Sequence, residues 1–407
     1  MNLDVKSLTE ANVRNWHSTL LTYFTVFGLA GASLAVRLPL VRDLLHVSVS
    51  TLGLILFVGS IGSLLSLSLV GRFIAKFGTR SIVVFGFAFA MVAYILMALM
   101  AQASQAFFYA AFAFLAGFAI GATDVAINLD ASTVEQRMKR NVLPRMHAAF
   151  SIGTLIGAGI GTVAASVNFS LALQITMLCA VGLMLPVFAR KYLPGGNGVE
   201  AAHTQDELNS AAASGIDLGH KITLGLVMLG LGIFGMTLGE GSSNDWLTLA
   251  IVDDYKESDT VAGISYAVLL AAMAITRFFG GNLADRFGKA NTLRLMALLG
   301  IAGILLIISQ QSVYLALLGA ALWGCGVALA FPLFISAAGE MPNPARKVAF
   351  VSASGYMAFL VGPPLLGFLG EAWGLLNMYW VITLFFVLTF FVAGAAGGRP
   401  STNDKIA

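Results

Sequence analysis

Charge is what this sequence has least of: Asp, Glu, Lys and Arg make up 11% of its 407 residues, against ~25% in an ordinary globular chain. That shortage excludes a domain folded in water, which needs a polar skin over its core. Cysteine is nearly absent as well. Cys179 and Cys325 are the only two and both fall in apolar runs, so a disulfide framework or thiolate metal site is excluded and they read as small buried hydrophobes. A net charge of +3 and a pI near 8.8 are too mild for a nucleic-acid partner. No H-E-x-x-H, C-x-x-C, phosphate-binding loop or G-x-S-x-G occurs, so hydrolytic, redox, metal and nucleotide chemistry have no local signature. No cofactor, no metal, no enzymatic activity and no ATP-driven pumping are expected. One G-x-G-x-x-G, from Gly230 to Gly235, lies inside an apolar stretch with no strand before it and lacks the context that motif requires.

What the chain has instead is apolar length. Hydrophobic residues are 58% of it, there are 44 glycines, and the mean hydropathy is +0.86. Apolar stretches run at about 18–36, 51–70, 81–100, 106–129, 148–167 and 170–188, then at 222–241, 261–280, 295–309, 313–338, 348–370 and 375–396. Lipid leaves backbone groups unsatisfied, so runs of ~20 such residues predict membrane helices, and the weak alternation excludes a barrel. The expected fold is an all-α integral membrane protein with twelve transmembrane helices in two six-helix repeats. Polar residues 2–15 precede a first span too long for a signal segment and without a cleavage site, so it is expected to stay as the first helix. With both termini inside, 20 of the 23 lysines and arginines fall on the cytoplasmic side, and only Arg37, Arg42 and Lys256 lie outside. Residues 195–219, rich in Gly, Ala, Ser and acids and containing His203, predict a flexible cytoplasmic linker. The predicted organisation is one bundle over 1–190, a linker over 191–220 and a second bundle over 221–407.

The two halves repeat. An offset of 210 residues aligns the segment Gly71 to Gly78 with Gly281 to Gly288, and also pairs Gly31 with Gly241, Gly53 with Gly263, Gly157 with Gly367 and Asp130 with Glu340. Two six-helix repeats of the same orientation imply a pseudo-two-fold axis along the membrane normal and a substrate site between them. On these residues the chain resembles the major facilitator superfamily. The loop Gly281-Asn282-Leu283-Ala284-Asp285-Arg286-Phe287-Gly288-Lys289 is a nearly complete copy of that family's G-x-L-a-D-R-x-G-R-R/K signature. The stretches Val142 to His147, Glu240 to Trp246 and Gly362 to Gly367 resemble the YbjJ-like branch of the bacterial inner membrane. The first signature copy departs from the family pattern with Ala75 where aspartate is usual, so a gating carboxylate is expected only at Asp285. Ala113 stands about where many proton-coupled antiporters of the family carry arginine, which weighs against drug:proton antiport.

An ionisable side chain inside a span costs at least ~2.5–3.5 kcal/mol, so each needs a reason. Asp124 lies in span four with Asn128 one turn on and Glu135 on the same face. The resemblance places that helix beside the central cavity, which makes Asp124 and Asn128 a candidate proton or substrate site; His147 and Ser151 stand at the start of span five. A second cluster ends span seven: Glu240, Asn244, Asp245 and Trp246. Arg37 is expected to form an outer-gate ion pair with Asp245 or Glu240, beside Trp246. Trp323, Tyr356 and Tyr266 are candidate stacking or hydrogen-bonding residues in the cavity. Arg277 is expected to snorkel or to pair with groups beside Asp285. The inner gate and loop signature comprise Gly71, Arg72, Lys76, Gly78, Arg80, Glu135, Arg137 and His147, paralleled by Gly281, Asp285, Arg286, Gly288, Glu340 and Arg346. Gly153, Gly157 and Gly161 predict close helix approach in span five, and Pro363 and Pro364 a kink in span eleven.

The resulting expectation is a monomeric secondary transporter of the bacterial inner membrane, moving a small polar solute such as a sugar, polyol or organic solute by alternating access. Protons are the candidate coupling ion. The alternatives are efflux of lipophilic drugs, which 15 methionines and 29 phenylalanines would suit, and a membrane sensor that keeps the fold without transport. An intramembrane enzyme built on Asp124, His147 and Ser151 lacks a nucleophile's setting.

Overall fold

The computed structural model describes residues 8–139, 142–197, 223–309 and 312–397. Most of the expected linker, with His203, and Lys6, Arg140, Lys221, Arg399 and Lys405 of the charge count lie outside the described residues. Every regular element among the described residues is helical: α1 Glu10–Ala35, α2 Leu38–Leu45, α3 Val49–Ser81, α4 Phe87–Gln102, α5 Ala106–Met138, α6 Leu143–Ser166 and α7 Leu171–Ala189. There follow α8 Leu224–Asp253, α9 Asp259–Phe287, α10 Lys289–Ile308, α11 Val313–Val327, α12 Ala330–Gly339, α13 Pro344–Trp373 and α14 Leu375–Val392. Among the described residues eleven continuous segments are long and apolar enough to cross a membrane, and one of them, Val49–Gln102, has 54 residues, twice the length a single crossing needs. Gly78, with φ 71° and ψ 162°, breaks that segment and divides it into two crossings. Twelve crossings result among the described residues. The helices start where sequence chemistry allows it: the hydroxyls of Thr9, Ser48, Ser170 and Ser312 each accept from a first-turn N–H of α1, α3, α7 and α11.

The chain forms two compact units that do not follow the midpoint of the sequence. The first comprises residues 1–215, 244–267 and 363–375; the second comprises 216–243, 268–362 and 376–407. In the first unit α6 lies against α1. An added Cβ on Gly153, Gly157 or Gly161 would overlap the carbonyls of Thr25, Leu29 and Ser33, so the four-residue glycine spacing of one helix matches the four-residue carbonyl spacing of the other. The aromatic core of that unit stacks Tyr23 edge-on to Phe87 at 4.9 Å, with Phe27 5.3 Å from the same ring. In the second unit Gly303 meets Gly319 backbone to backbone, and Trp323 packs T-shaped on Tyr379 at 5.2 Å. Large apolar side chains such as Phe85, Phe107, Val181, Phe278 and Leu384 are exposed, as suits helices whose outer faces meet lipid.

Candidate functional site

Four clusters hold the polar side chains of the spans. Two lie in the first unit at the end opposite the start of α1, here termed the distal end, and on α5. The third lies in the second unit between α8 and α9. The fourth group is divided between the two signature loops, one in each unit.

At the distal end Arg42 is the centre. It sits in α2, which Pro39 starts, and its guanidinium is shared between two acids: Nη2 donates to Asp43 at 2.8 Å and to Asp253 at 3.0 Å, and Nη1 also bonds Asp253. Burial pushes this guanidinium down, but the bonds to Asp253 and Asp43 outweigh it and hold Arg42 above the ordinary arginine value. The offset between Asp43 and Asp253 is the 210 of the internal repeat, so one cation holds two repeat-related carboxylates. Two repeat-related glycines tighten the same end. Gly53 of α3 lies against Pro363 and Gly367 of α13, and Gly263 of α9 lies against Val36 and against Thr162 of α6, with no room for a Cβ at either contact. Glu371 adds a bond from the Ser50 N–H at 2.8 Å. Trp246 is fully buried beside Gly367.

The expected gate pair is therefore replaced. Arg37 bonds neither of its expected acids: its Nη2 donates to the Phe169 carbonyl at 3.0 Å, because the chain turns at Arg37 between α1 and α2 and directs the side chain toward the loop joining α6 and α7. Arg37 is only 2% exposed, and among the described residues its Nε and Nη1 have no hydrogen-bond partner. Burial lowers it below the ordinary arginine value, an effect the charge of Asp259 partly offsets. Asp245 is half-buried in α8, one position before Trp246. Asn244, one turn from Glu240, accepts from the Tyr266 hydroxyl at 2.9 Å, which ties α8 to α9 and makes Tyr266 a strut within the first unit.

On α5, Asp124 is exposed and accepts from Asn128 Nδ2 at 3.1 Å, the same amide bonding the Asp124 carbonyl at 2.9 Å. This is the one-turn pairing that the spacing implies. His147 is exposed and its ring stands 5.5 Å from Phe24, while Ser151 donates to the His147 backbone carbonyl at 3.0 Å rather than to the imidazole.

Between α8 and α9 the second unit holds an ion pair that spacing did not reveal. Arg277 Nη2 donates to Glu240 Oε1 at 2.8 Å, and Arg277 Nε donates to the Ala328 carbonyl at 3.1 Å. Arg277 was expected near Asp285 or snorkelling; it instead reaches sideways, ten residues and about 15 Å along α9 from its end at Phe287. The signal that would have placed it is Pro332. That proline is four residues after Ala328 and has no N–H, so it cannot bond the Ala328 carbonyl, and the break between α11 and α12 leaves this oxygen for the guanidinium. Trp323 is a correction of another kind. It is fully buried against Tyr379 and offers no face for stacking on a solute, whereas Tyr356 is 42% exposed with its ring 6.1 Å from Phe331.

Around the signature loops, Gly71 is buried, Arg72, Asp285 and Gly288 are exposed, and Gly281 lies within α9. Lys76 rests over Phe77 at 5.2 Å and Arg286 over Phe287 at 5.4 Å. Arg80 is half-buried and Arg137 exposed. Among the described residues Glu135 forms no ion pair; its Oε2 accepts from the N–H groups of Val142 at 2.8 Å and Leu143 at 3.1 Å, satisfying free donors where α6 begins. Behind Gly78 lies a buried network absent from the sequence expectations. Asp130 accepts from Trp16 Nε1 at 3.1 Å and from Asn197 Nδ2 at 2.7 Å, and the Asn197 carbonyl accepts the Thr79 N–H at 3.0 Å. Its repeat counterpart is the ion pair between Lys289 and Glu340.

The sequence and fold are similar to those of known proteins. The chain is 30% identical over 360 residues to the uncharacterized MFS-type transporter YPO1221/y2967 of Yersinia pestis, covering 87% of this chain and 88% of that one. It is 28% identical over 374 residues to the uncharacterized transporter y4wD of Sinorhizobium fredii, covering 91% and 95%. Among solved structures, the nucleoside transporter NupG aligns with a TM-score of 0.70 at 16% identity over 94% of this chain and 98% of its own. The bacterial homologue of the lysosomal transporter Spinster aligns with a TM-score of 0.70 at 12% identity over 97% and 100%. The model of the Major Facilitator Superfamily matches residues 19–348 and again 229–406, and the chain, a multi-pass membrane protein with that family's fold, belongs to the major facilitator superfamily of transporters.

Proposed function

We propose that this chain is a monomeric secondary transporter that carries a small polar solute across a bacterial inner membrane by alternating access, as the resemblance to the YbjJ-like branch implies. Its distal end faces outward and both termini face the cytoplasm, a reading that the placement of lysine and arginine supports. The moving parts are the bundles over 1–190 and 221–407, joined by the linker over 191–220. The observation that carries this reading is the distal seal, in which Arg42 bridges Asp43 and Asp253 while Gly53 and Gly263 make equivalent close contacts. A transporter needs contacts that form in one state and break in the other, and a seal built from both repeats is such an element. Arg37 supports the same reading. A buried cation with unmet donors raises the energy of the sealed state and leaves it poised to open. Asp124 with Asn128 and Glu240 with Arg277 are the polar groups to meet a solute and, with it, protons.

The test is a disulfide across the seal. With Cys179 and Cys325 replaced by alanine, cysteines at Ser50 and Glu371 are oxidised in proteoliposomes loaded with sugars, polyols and organic solutes in turn. Flux of the carried solute is expected to stop on oxidation and return on reduction. Undiminished flux in fully cross-linked protein rejects alternating access at this seal, and binding of a solute without flux under any condition favours the sensor.

A further inference from the structure

Arg277 is held so that part of it is used and part is not. Nε is bound to the Ala328 carbonyl and Nη2 to one oxygen of Glu240, while Nη1 has no partner among the described residues and the side chain is 39% exposed. Arg277 lies in the last turn of the apolar stretch 261–280, and a charged group there turns its open edge to water rather than to lipid. A guanidinium presents a planar fork suited to two oxygens of a carboxylate, and Glu240 fills only one tine. We propose that Arg277 is the binding residue for a solute bearing a carboxylate, and that Glu240 is the resident counter-ion which the solute displaces. This rests on the transport reading above and adds the solute's chemical class.

Charge balance gives the consequence. In the empty site Glu240 is paired with Arg277. When the solute carboxylate takes Arg277, Glu240 loses its cation inside a span and takes a proton from water, so anion and proton bind together and the site keeps its net charge. Transport by this route is electroneutral symport. No other charged group among the described residues bonds either side chain. The elements packed on this turn of α8 bring Phe359 to Gly241 and Phe386 and Ile382 to Gly239, none of them titratable. The other titratable groups on these helices are Asp245 and Asp253 on α8, Asp259, Tyr266, Asp285 and Arg286 on α9, Tyr314 and Cys325 on α11, Arg346, Lys347, Tyr356 and Glu371 on α13, and Tyr379 on α14; of these only Asp245 lies within five residues of Glu240 in sequence. Pro332 is the positioning residue, because it denies the Ala328 carbonyl a helical N–H and so leaves it to Arg277.

The experiment uses the full chain in detergent, with acetate, lactate, gluconate and benzoate as probes and glucitol as the neutral partner of gluconate. Thermal stabilisation is read from pH 5 to 8. In the native chain a stabilising carboxylate is expected to bind about tenfold more tightly for each unit the pH falls while Glu240 takes its proton. Glu240→Gln is expected to bind the same carboxylate tightly and without pH dependence, and Glu240→Gln with Arg277→Gln, which keeps the site neutral and folded, is expected to lose it. Pro332→Ala is expected to weaken binding while leaving its pH dependence in place. The inference is overturned if no carboxylate stabilises Glu240→Gln at any pH, or if the double variant binds it undiminished. Flux of a neutral solute through Arg277→Gln also overturns it while leaving the transport reading in place; absence of all flux through the folded native chain rejects the transport reading itself.

Discussion

The two signature loops share a backbone and differ in chemistry. Gly78 and Gly288, 210 residues apart, both take a positive-φ, extended-ψ conformation with nearly the same angles, φ 71° and ψ 162° against φ 74° and ψ 157°. The residues that follow have diverged. In the first copy Thr79 docks by its N–H onto Asn197, and Asp130, fully buried, collects Trp16 and Asn197. In the second copy the positions equivalent to Thr79 and Asp130 are Lys289 and Glu340, which form an ion pair with Glu340 64% exposed. One repeat spends its acid on a buried clasp that holds the segment around 193–197, and the other on a solvated bridge. What the repeat preserves is the turn, because only a residue without Cβ takes that conformation cheaply; the polar partners are free to vary.

Removing the acids breaks the comparison most sharply. Asp130→Ala leaves the indole N–H of Trp16 and the amide of Asn197 buried without an acceptor, and is expected to cost about 3 kcal/mol or more. Glu340→Ala is expected to cost under ~1 kcal/mol, since the pair it removes is largely in water. Melting of the two purified variants checks this, and equal losses would show that the clasp carries no more than the bridge. A smaller and symmetric effect is expected at the glycines. Gly78→Ala and Gly288→Ala each force a side chain into a positive-φ, extended-ψ conformation that is essentially confined to glycine, at about 1–3 kcal/mol. A Cβ at 78 would be 3.5 Å from the Asn197 carbonyl and one at 288 would meet nothing, so neither site adds a clash and the two losses in melting temperature should agree.

Much of this was legible in the sequence. Apolar length and scarce charge specify the twelve crossings, since lipid admits few other solutions, and the offset of 210 aligns both signature turns. The partners at the distal seal were harder to read. Arg42 counts among the three outer cations, but the charges that attract notice are those inside spans, and Arg42 lies between them in α2. Its link to Asp253 is visible only once Asp43 and Asp253 are compared through the offset. Arg277 was misplaced for a similar reason: its anchor is a backbone carbonyl, and the clue is the N–H that Pro332 lacks. Trp323 shows the converse, because a large ring at mid-span has no sequence mark that separates packing from binding.

The central claim is that the distal seal opens during the cycle. The most direct test places spin labels at Ser50 and Glu371 in the cysteine-free background and measures their separation in lipid, with and without a saturating carried solute. Two distance populations whose ratio shifts with solute are expected, the shorter one matching the sealed arrangement described here. A single short distance, unchanged by a solute that the same preparation carries, would contradict the account.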